Sequence, residues 1–70
     1  MEEPFKVGMS VIWHGGIEQG AFISAGTIVE VVGKPFEGTL VCEFGSKKER
    51  HAFRKSDGAN VGDNGYIRLG

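Results

Sequence analysis

Residues 25–44, AGTIVEVVGKPFEGTLVCEF, decide the fold. Two runs rich in β-branched and apolar residues, 26–32 and 39–44, flank a short turn that contains Gly33, Pro35 and Gly38. Such side chains fit a pleated, half-buried surface, and glycine and proline between two such runs are typical of a hairpin. The segment therefore predicts two antiparallel strands.

Three further strands are predicted around this hairpin. Apolar residues alternate with small or polar ones over residues 7–14, which predicts a first strand whose inward face carries Val7, Met9, Val11 and Trp13. Residues 49–54 and 66–69 are predicted to form the fourth and fifth strands, and residues 17–25 a long loop that partly folds back over the sheet. We expect residues 1–6 to be a flexible tail, so that one domain spans residues 7–70.

The spacing of these strands predicts an all-β fold without a substantial helix. The chain has 12 glycines that fall between the apolar runs, and no glycine-free window of about 11 residues shows helical periodicity. The order of connections is long, medium, tight and irregular, which resembles a five-stranded SH3-like small barrel. An OB-like barrel is the alternative, although that fold often includes a helix and usually needs a longer chain.

Two short stretches resemble known domain families. The run Gly26-Thr27-Ile28-Val29-Glu30-Val31, the segment Val41-Cys42-Glu43-Phe44, and the pair Phe53-Arg54 before Gly65-Tyr66-Ile67 look similar to a Mib/Herc2 domain. Such domains occur in ubiquitin ligases and bind substrate tails. The segment Lys55-Ser56-Asp57-Gly58-Ala59-Asn60-Val61 resembles the Lys-Asn-Asp-Gly loop of CAP-Gly domains, which bind acidic C-terminal tails.

Composition and charge narrow the classes of partner. The net charge is −1, but residues 1–46 carry two cations against six carboxylates, and residues 47–70 carry six against three. This near-balance argues against generic DNA coating. No apolar run is long enough to cross a membrane, and no signal-like segment begins the sequence. With a single cysteine, Cys42, we expect a cytoplasmic protein without an intramolecular disulfide.

The residues that most often carry chemistry do not form a recognisable catalytic or metal motif. Cys42, His14 and His51 lack the paired spacing of a zinc site, and Cys42 lies mid-strand, where we expect a buried core residue. Glu30 and Glu43 lie on neighbouring strands, where solvated outward positions are the usual outcome. The glycine-rich segments have no helix after them, which a phosphate loop requires. We therefore predict no cofactor, no metal and no catalytic residue.

Two sets of residues are candidates for binding. Alternation along residues 47–55 places three cations in line on one strand face, where they could track phosphates or bind carboxylates: Lys48, Arg50 and Arg54. Their alternative role is a solvated face that protects an edge. The second set consists of aromatic residues in loops or near strand ends, which are predicted to flank a groove: Trp13, Phe22, Phe36 and Tyr66.

These features predict a non-enzymatic binding module that recognises a peptide, a protein surface or a nucleic acid. One alternative is an oligomeric enzyme with a shared pore, as in the type II dihydrofolate reductases. Their Val-Gln-Ile-Tyr pore motif is absent, and the equivalent region reads His51-Ala52-Phe53-Arg54. The other alternative is a structural subunit. Because a 70-residue chain buries little surface, self-association into a homo-oligomer is a further expectation.

Overall fold

The computed structural model describes residues 4–15, 22–62 and 65–70. Within these residues the chain forms five strands and no helix: β1 (Ser10–Gly15), β2 (Phe22–Val32), β3 (Thr39–Phe44), β4 (Glu49–Arg54) and β5 (Gly65–Leu69). The strands are antiparallel, lie in the order β4-β3-β2-β1-β5, and curl into a half-barrel. The predicted all-β class is therefore confirmed, while the SH3-like identity of the barrel stays a prediction.

The central hairpin predicted from residues 25–44 is confirmed. β2 and β3 pair from Gly26 opposite Phe44 to Val32 opposite Thr39. The register shifts between Ile28 and Glu30, which marks a β-bulge, and a bulge bends the strand that carries it. The first part of β2 pairs with β1 and the later part with β3, so this one long strand joins both halves of the curl.

The first strand is shorter than predicted. It begins at Ser10 because residues 7–8 form a turn in which Gly8 adopts a φ of 97°. Val7 was predicted to face inward, but it lies in this turn and is 65% exposed. Val11 and Trp13 face inward as predicted.

The second strand is longer than predicted. Residues 22–25 were assigned to a loop, yet they belong to β2 and pair with residues 12–15 of β1. The strand propensity of this stretch is modest, and its pairing with β1 decides its conformation, as tertiary context often does. Residues 17–21 of the predicted loop lie outside the described residues.

The core lies on the concave face of the sheet. Its buried side chains come from all five strands: Val11, Trp13, Ile28, Leu40, Cys42, Phe44, Phe53 and Ile67. Phe5, Met9 and Val31 pack against this cluster from its margin. The predicted core position of Cys42 is confirmed, and burial raises the pKa of its thiol to about 11, which keeps the thiol protonated at neutral pH.

Residues 58–61 close the curl by joining the two outer strands. Single β-bridges connect Asn60 with Phe53 of β4 and Ala59 with Tyr66 of β5. The Ile67 N–H donates to the Gly58 carbonyl at 2.8 Å on the same side. The segment thus covers backbone groups that the outer strands would otherwise leave open to another chain.

The buried side chain of Lys55 ties the β2–β3 turn to the end of β4. Lys55 is only 5% exposed, and its Nζ donates to the carbonyl oxygens of Lys34 at 3.2 Å and of Gly33 at 3.4 Å. Its backbone N–H donates to the Gly38 carbonyl at 2.9 Å. Carbonyl acceptors of this kind are what a buried ammonium group requires.

No helix within the described residues is long and apolar enough to cross a membrane.

Candidate functional site

A groove of about 420 Å³ opens where β3 separates from the first part of β2. Four rings line it, namely Trp13, Phe22, Phe44 and His51. The remaining lining residues come from β2, from the β3–β4 turn and from the start of β4: Ser24, Gly45, Ser46, Lys47 and Glu49. The groove is therefore apolar at its base and polar along one rim.

Strand alternation brings the four rings together. Each ring lies on the inward face near the same end of the half-barrel, and β1, β2, β3 and β4 contribute one ring each. The Trp13 ring lies at the centre, with centroids 4.5 Å from His51, 4.9 Å from Phe22 and 5.3 Å from Phe44. The Phe22 ring meets Trp13 edge-on at 84°, a favourable geometry for an aromatic pair.

Two glycines make room for these rings. A Cβ on Gly26 would lie 2.3 Å from Cδ1 of Phe44, so the ring packs directly on the glycine backbone. A Cβ on Gly15 would lie 2.8 Å from Cζ of Phe22. A larger residue at Gly26 would meet both the Phe44 ring and the backbone oxygen of Glu43, whereas a larger residue at Gly15 would displace the tip of the Phe22 ring.

The Trp13 side chain also carries a polar group within this cluster. Trp13 is 7% exposed, and within the described residues its buried Nε1 has no hydrogen-bond acceptor. A buried donor without an acceptor costs free energy, on the order of 1–3 kcal/mol. The groove base is thus held by ring packing rather than by polar contacts of the indole.

The four predicted aromatic candidates do not form one site. Trp13 and Phe22 lie together in the groove, whereas Phe36 lies in the turn after β2, at the opposite end of that strand. Tyr66 lies on the outer face, where its ring stacks on His14 with a centroid distance of 5.0 Å and an angle of 15°. Arg68 extends this outer contact by donating from Nε to His14 Nε2 at 2.9 Å.

Two of the three cations predicted on one strand face, Arg50 and Arg54, lie on the outer face and are paired with carboxylates, whereas the third, Lys48, precedes the strand. Arg50 Nε lies 3.5 Å from Glu43 Oε2, on the neighbouring strand. Arg54 binds Asp57 through two contacts, of 2.7 Å from Nη2 and 3.3 Å from Nε. Lys48 lies in the β3–β4 turn with a φ of 55°. Each arginine therefore has a neighbouring negative charge, which lowers its attraction for phosphates.

Asp57 links the Arg54 cation to the segment that closes the curl. Its Oδ1 accepts the Ala59 N–H at 3.0 Å, and this bond, together with the Arg54 guanidinium, holds the pKa of Asp57 below its ordinary value. A lowered native pKa stabilises the fold above the unfolded value of about 3.9, and this stabilisation is lost as pH falls through the native value.

We expect Asp57→Asn to lower the melting temperature at pH 6, because the neutral amide loses the charge pairing with Arg54. The difference from the parent chain should shrink at pH 3 and vanish at lower pH, as the parent carboxylate becomes protonated. Thermal unfolding of both chains at pH 6, at pH 3 and below pH 3 measures this difference in melting temperature. A difference that does not change with pH would show that the Asp57 charge does not contribute.

The remaining chemistry-bearing residues are not brought together. Glu30 lies opposite Val41 and Glu43 opposite Thr27, so the two carboxylates are not cross-strand partners. Among the residues that the structure describes, no group of three or more His, Cys, Asp or Glu side chains could hold a metal ion.

A second groove, of about 330 Å³, lies between β5 and residues 54–58, and its base is apolar.

Sequence reasoning missed two of the four rings in the first groove. Phe44 was assigned to a strand and His51 was considered as a metal ligand, but neither was connected with Trp13. The signal was available in the strand alternation, since inward residues near matching strand ends must meet once the sheet order is known. That order is what the sequence alone did not provide.

No protein-family model, no curated protein and no solved structure matches this chain. Its fold and groove therefore define it as a small all-β protein with an aromatic groove at one end of a curled sheet.

Proposed function

We propose that the protein is a small binding module that recognises a peptide or a protein segment through the groove formed by Trp13, Phe22, Phe44 and His51. The observation that carries this proposal is the convergence of four rings on one cavity of about 420 Å³. Cavities of about 300–1,000 Å³ that are lined by aromatic groups and rimmed by a few polar groups are the usual form of ligand sites.

The exposure of Phe22 supports the same role. Phe22, which lines the groove, is 41% exposed, whereas its neighbour Ile23 lies on the outer face opposite His14 and is 70% exposed. A large apolar side chain that stays exposed at a groove favours protein recognition. The rim carries one cation and one carboxylate, Lys47 and Glu49, so charge alone would not select the ligand.

Nucleic acid is the weaker candidate for a partner. The cations proposed to contact phosphates, Arg50 and Arg54, lie on the outer face and are paired with Glu43 and Asp57. Phosphate contacts would first have to replace these pairs. Three alternatives stay predictions: the pore enzyme, the structural subunit and a homo-oligomer. A cytoplasmic location is part of the proposal, and the single free cysteine is what supports it.

The test uses a display library of random dodecapeptides as the probe. Selected peptides are titrated into the protein while the fluorescence of Trp13, the single tryptophan of the chain, reports on the base of the groove. We expect the selected peptides to share an apolar or aromatic position and to change the emission of Trp13.

Two phenylalanines provide a matched pair of variants. Phe22 and Phe36 are 41% and 44% exposed but lie at opposite ends of β2. Truncating each to alanine therefore compares two positions in the fold while the residue type and its exposure stay nearly the same. Phe22→Ala should weaken peptide binding about tenfold or more, a loss of about 1.4 kcal/mol, while Phe36→Ala and the double variant Arg50→Ala/Arg54→Ala should bind normally.

Three results would contradict the proposal. The first would be a library that yields no binder, and the second would be peptide binding that is unchanged in Phe22→Ala. Alternatively, single- or double-stranded DNA oligonucleotides bind in a salt-sensitive manner that depends on Arg50 and Arg54.

A further inference from the structure

The backbone groups of β2 alternate between its two neighbours. The Ile28 N–H donates to the Met9 carbonyl at 3.0 Å, and the Ile28 carbonyl accepts the Gly8 N–H at 2.8 Å, so Ile28 faces the β1 side. Orientation alternates along an antiparallel strand. Over residues 22–28, the N–H and C=O groups of the even-numbered residues therefore point toward β1. Those of the odd-numbered residues point toward the opposite side, where β3 lies.

β3 covers only part of that opposite side. Its pairing with β2 ends at Gly26 opposite Phe44, and the chain then turns away through residues 45–48. Within the described residues, no strand lies beside the N–H and C=O of Ile23 or beside the N–H of Ala25. Backbone groups on an open strand edge are a template for pairing with another chain.

The open edge and the aromatic groove are one continuous surface. Phe22 and Ser24 line the groove with their inward side chains, while residues 45–47 form the facing wall. An extended chain placed between these walls would meet the open backbone groups on one side. Because its side chains alternate, every second one would point at the rings.

We propose that the ligand is an extended peptide that adds to the sheet as a strand beside Ile23 and Ala25 and places an apolar side chain against Trp13 and Phe44. This inference rests on the proposed function and adds the mode of recognition. Backbone hydrogen bonds supply affinity in such complexes, and pockets for alternate side chains supply selectivity.

The facing wall favours a peptide over a second copy of the chain. Residues 45–47 line the groove on the side away from β2. A second copy that paired through its own β2 would also bring its β1 toward these residues, since β1 pairs with residues 22–27. A single peptide strand brings no such neighbouring strand, so it places less chain against residues 45–47.

Hydrogen exchange tests the edge directly, with the library-selected dodecapeptide as the probe. In the free protein, the Ile23 and Ala25 amides should exchange fast and the Ser24 amide slowly, because Ser24 faces Trp13 of β1 in the ladder. Saturating peptide should slow the Ile23 and Ala25 amides at least about tenfold. Slow exchange of both amides in the free protein would overturn the inference, because the edge would already be covered.

Changes to the backbone give an independent test. N-methylation of the peptide at successive positions should abolish binding at alternate positions only. In the protein, Ala25→Pro removes one of the two N–H groups on the open edge and leaves the bonds to β1 in place, so it should keep the fold and weaken binding about tenfold. Because proline can disturb a strand, its circular dichroism and melting are compared with those of Ala25→Ser, which keeps the N–H.

The outcomes separate the two proposals. Binding that depends on Phe22 but leaves both amides unprotected and tolerates every N-methyl group would overturn strand addition and leave the binding module standing. Absence of any Phe22-dependent binding would overturn the binding module itself. Protection of Ile23 and Ala25 on concentrating the protein alone, with a dimer mass, would identify a second copy as the occupant and overturn the peptide.

Discussion

Replacing Phe53 with alanine is expected to remove about 4 kcal/mol of stability, because truncation of a fully buried phenylalanine costs about 3–5 kcal/mol. Phe53 is 0% exposed, and its ring packs edge-on against Phe44 at 5.8 Å and Trp13 at 5.6 Å. A domain of 70 residues holds about 4–10 kcal/mol in total. The variant should therefore be largely unfolded, or close to it, at room temperature.

Urea unfolding followed by Trp13 fluorescence and by circular dichroism measures this loss. The matched control is Phe36→Ala, since Phe36 is 44% exposed and belongs to neither of the two grooves. Its free energy of unfolding should change by no more than about 0.5 kcal/mol. Equal losses of free energy in the two variants would show that the packing of Phe53 against Phe44 and Trp13 does not stabilise the core.

The strands that were predicted well are those whose sequence pattern matches their burial. In β3, Leu40, Cys42 and Phe44 are buried and alternate with half-buried residues, so the period of two was visible in the sequence. In β4 the contrast is confined to the end of the strand, where Phe53 is buried and Arg54 is exposed. Local pattern and tertiary environment agree in both strands, and for that reason their bounds could be predicted.

The strand ends that were predicted wrongly depend on partners far away in the sequence. Val7 continues the alternation of β1, but Gly8 adopts a positive φ and turns the chain, so Val7 reaches solvent. Residues 22–25 carry no strong strand pattern and are extended because β1 lies beside them. Neither outcome follows from local propensity, since each requires the sheet order.

The candidate site shows the same division. Aromatic character singled out Trp13 and Phe22, which line one groove, but it could not distinguish them from Phe36, which lies beyond the other end of β2. Charge singled out Arg50 and Arg54 without revealing their carboxylate partners. Residue type predicts what a side chain can do, whereas the register decides which side chains meet.

Gly26 lies at the point where this register matters most, and Gly26→Ala is the second substitution with a large expected effect. A methyl group there would lie 2.3 Å from Cδ1 of Phe44 and 2.5 Å from the backbone oxygen of Glu43. The ring can shift, but the backbone oxygen belongs to the β2–β3 ladder and cannot move without breaking the pairing. We expect a loss of about 3 kcal/mol, at the upper end of what overpacking usually costs, measured by urea unfolding.

Two comparisons isolate the cause of that loss. Gly45→Ala places a methyl group in open space at a φ of 74°, so it reports the backbone strain of a glycine replacement, about 1 kcal/mol, without a collision. In the double variant Gly26→Ala/Phe44→Val, the Cδ1 and Cε1 atoms that would meet the new methyl group are removed and the collision with the Glu43 oxygen remains, so the combined loss should be smaller than the sum of the single losses. Strict additivity would place the cost entirely on the backbone. A loss for Gly26→Ala no greater than that for Gly45→Ala would mean that Phe44 does not rest on Gly26. The point where β3 separates from β2, next to the groove, would then not be stabilised by this contact.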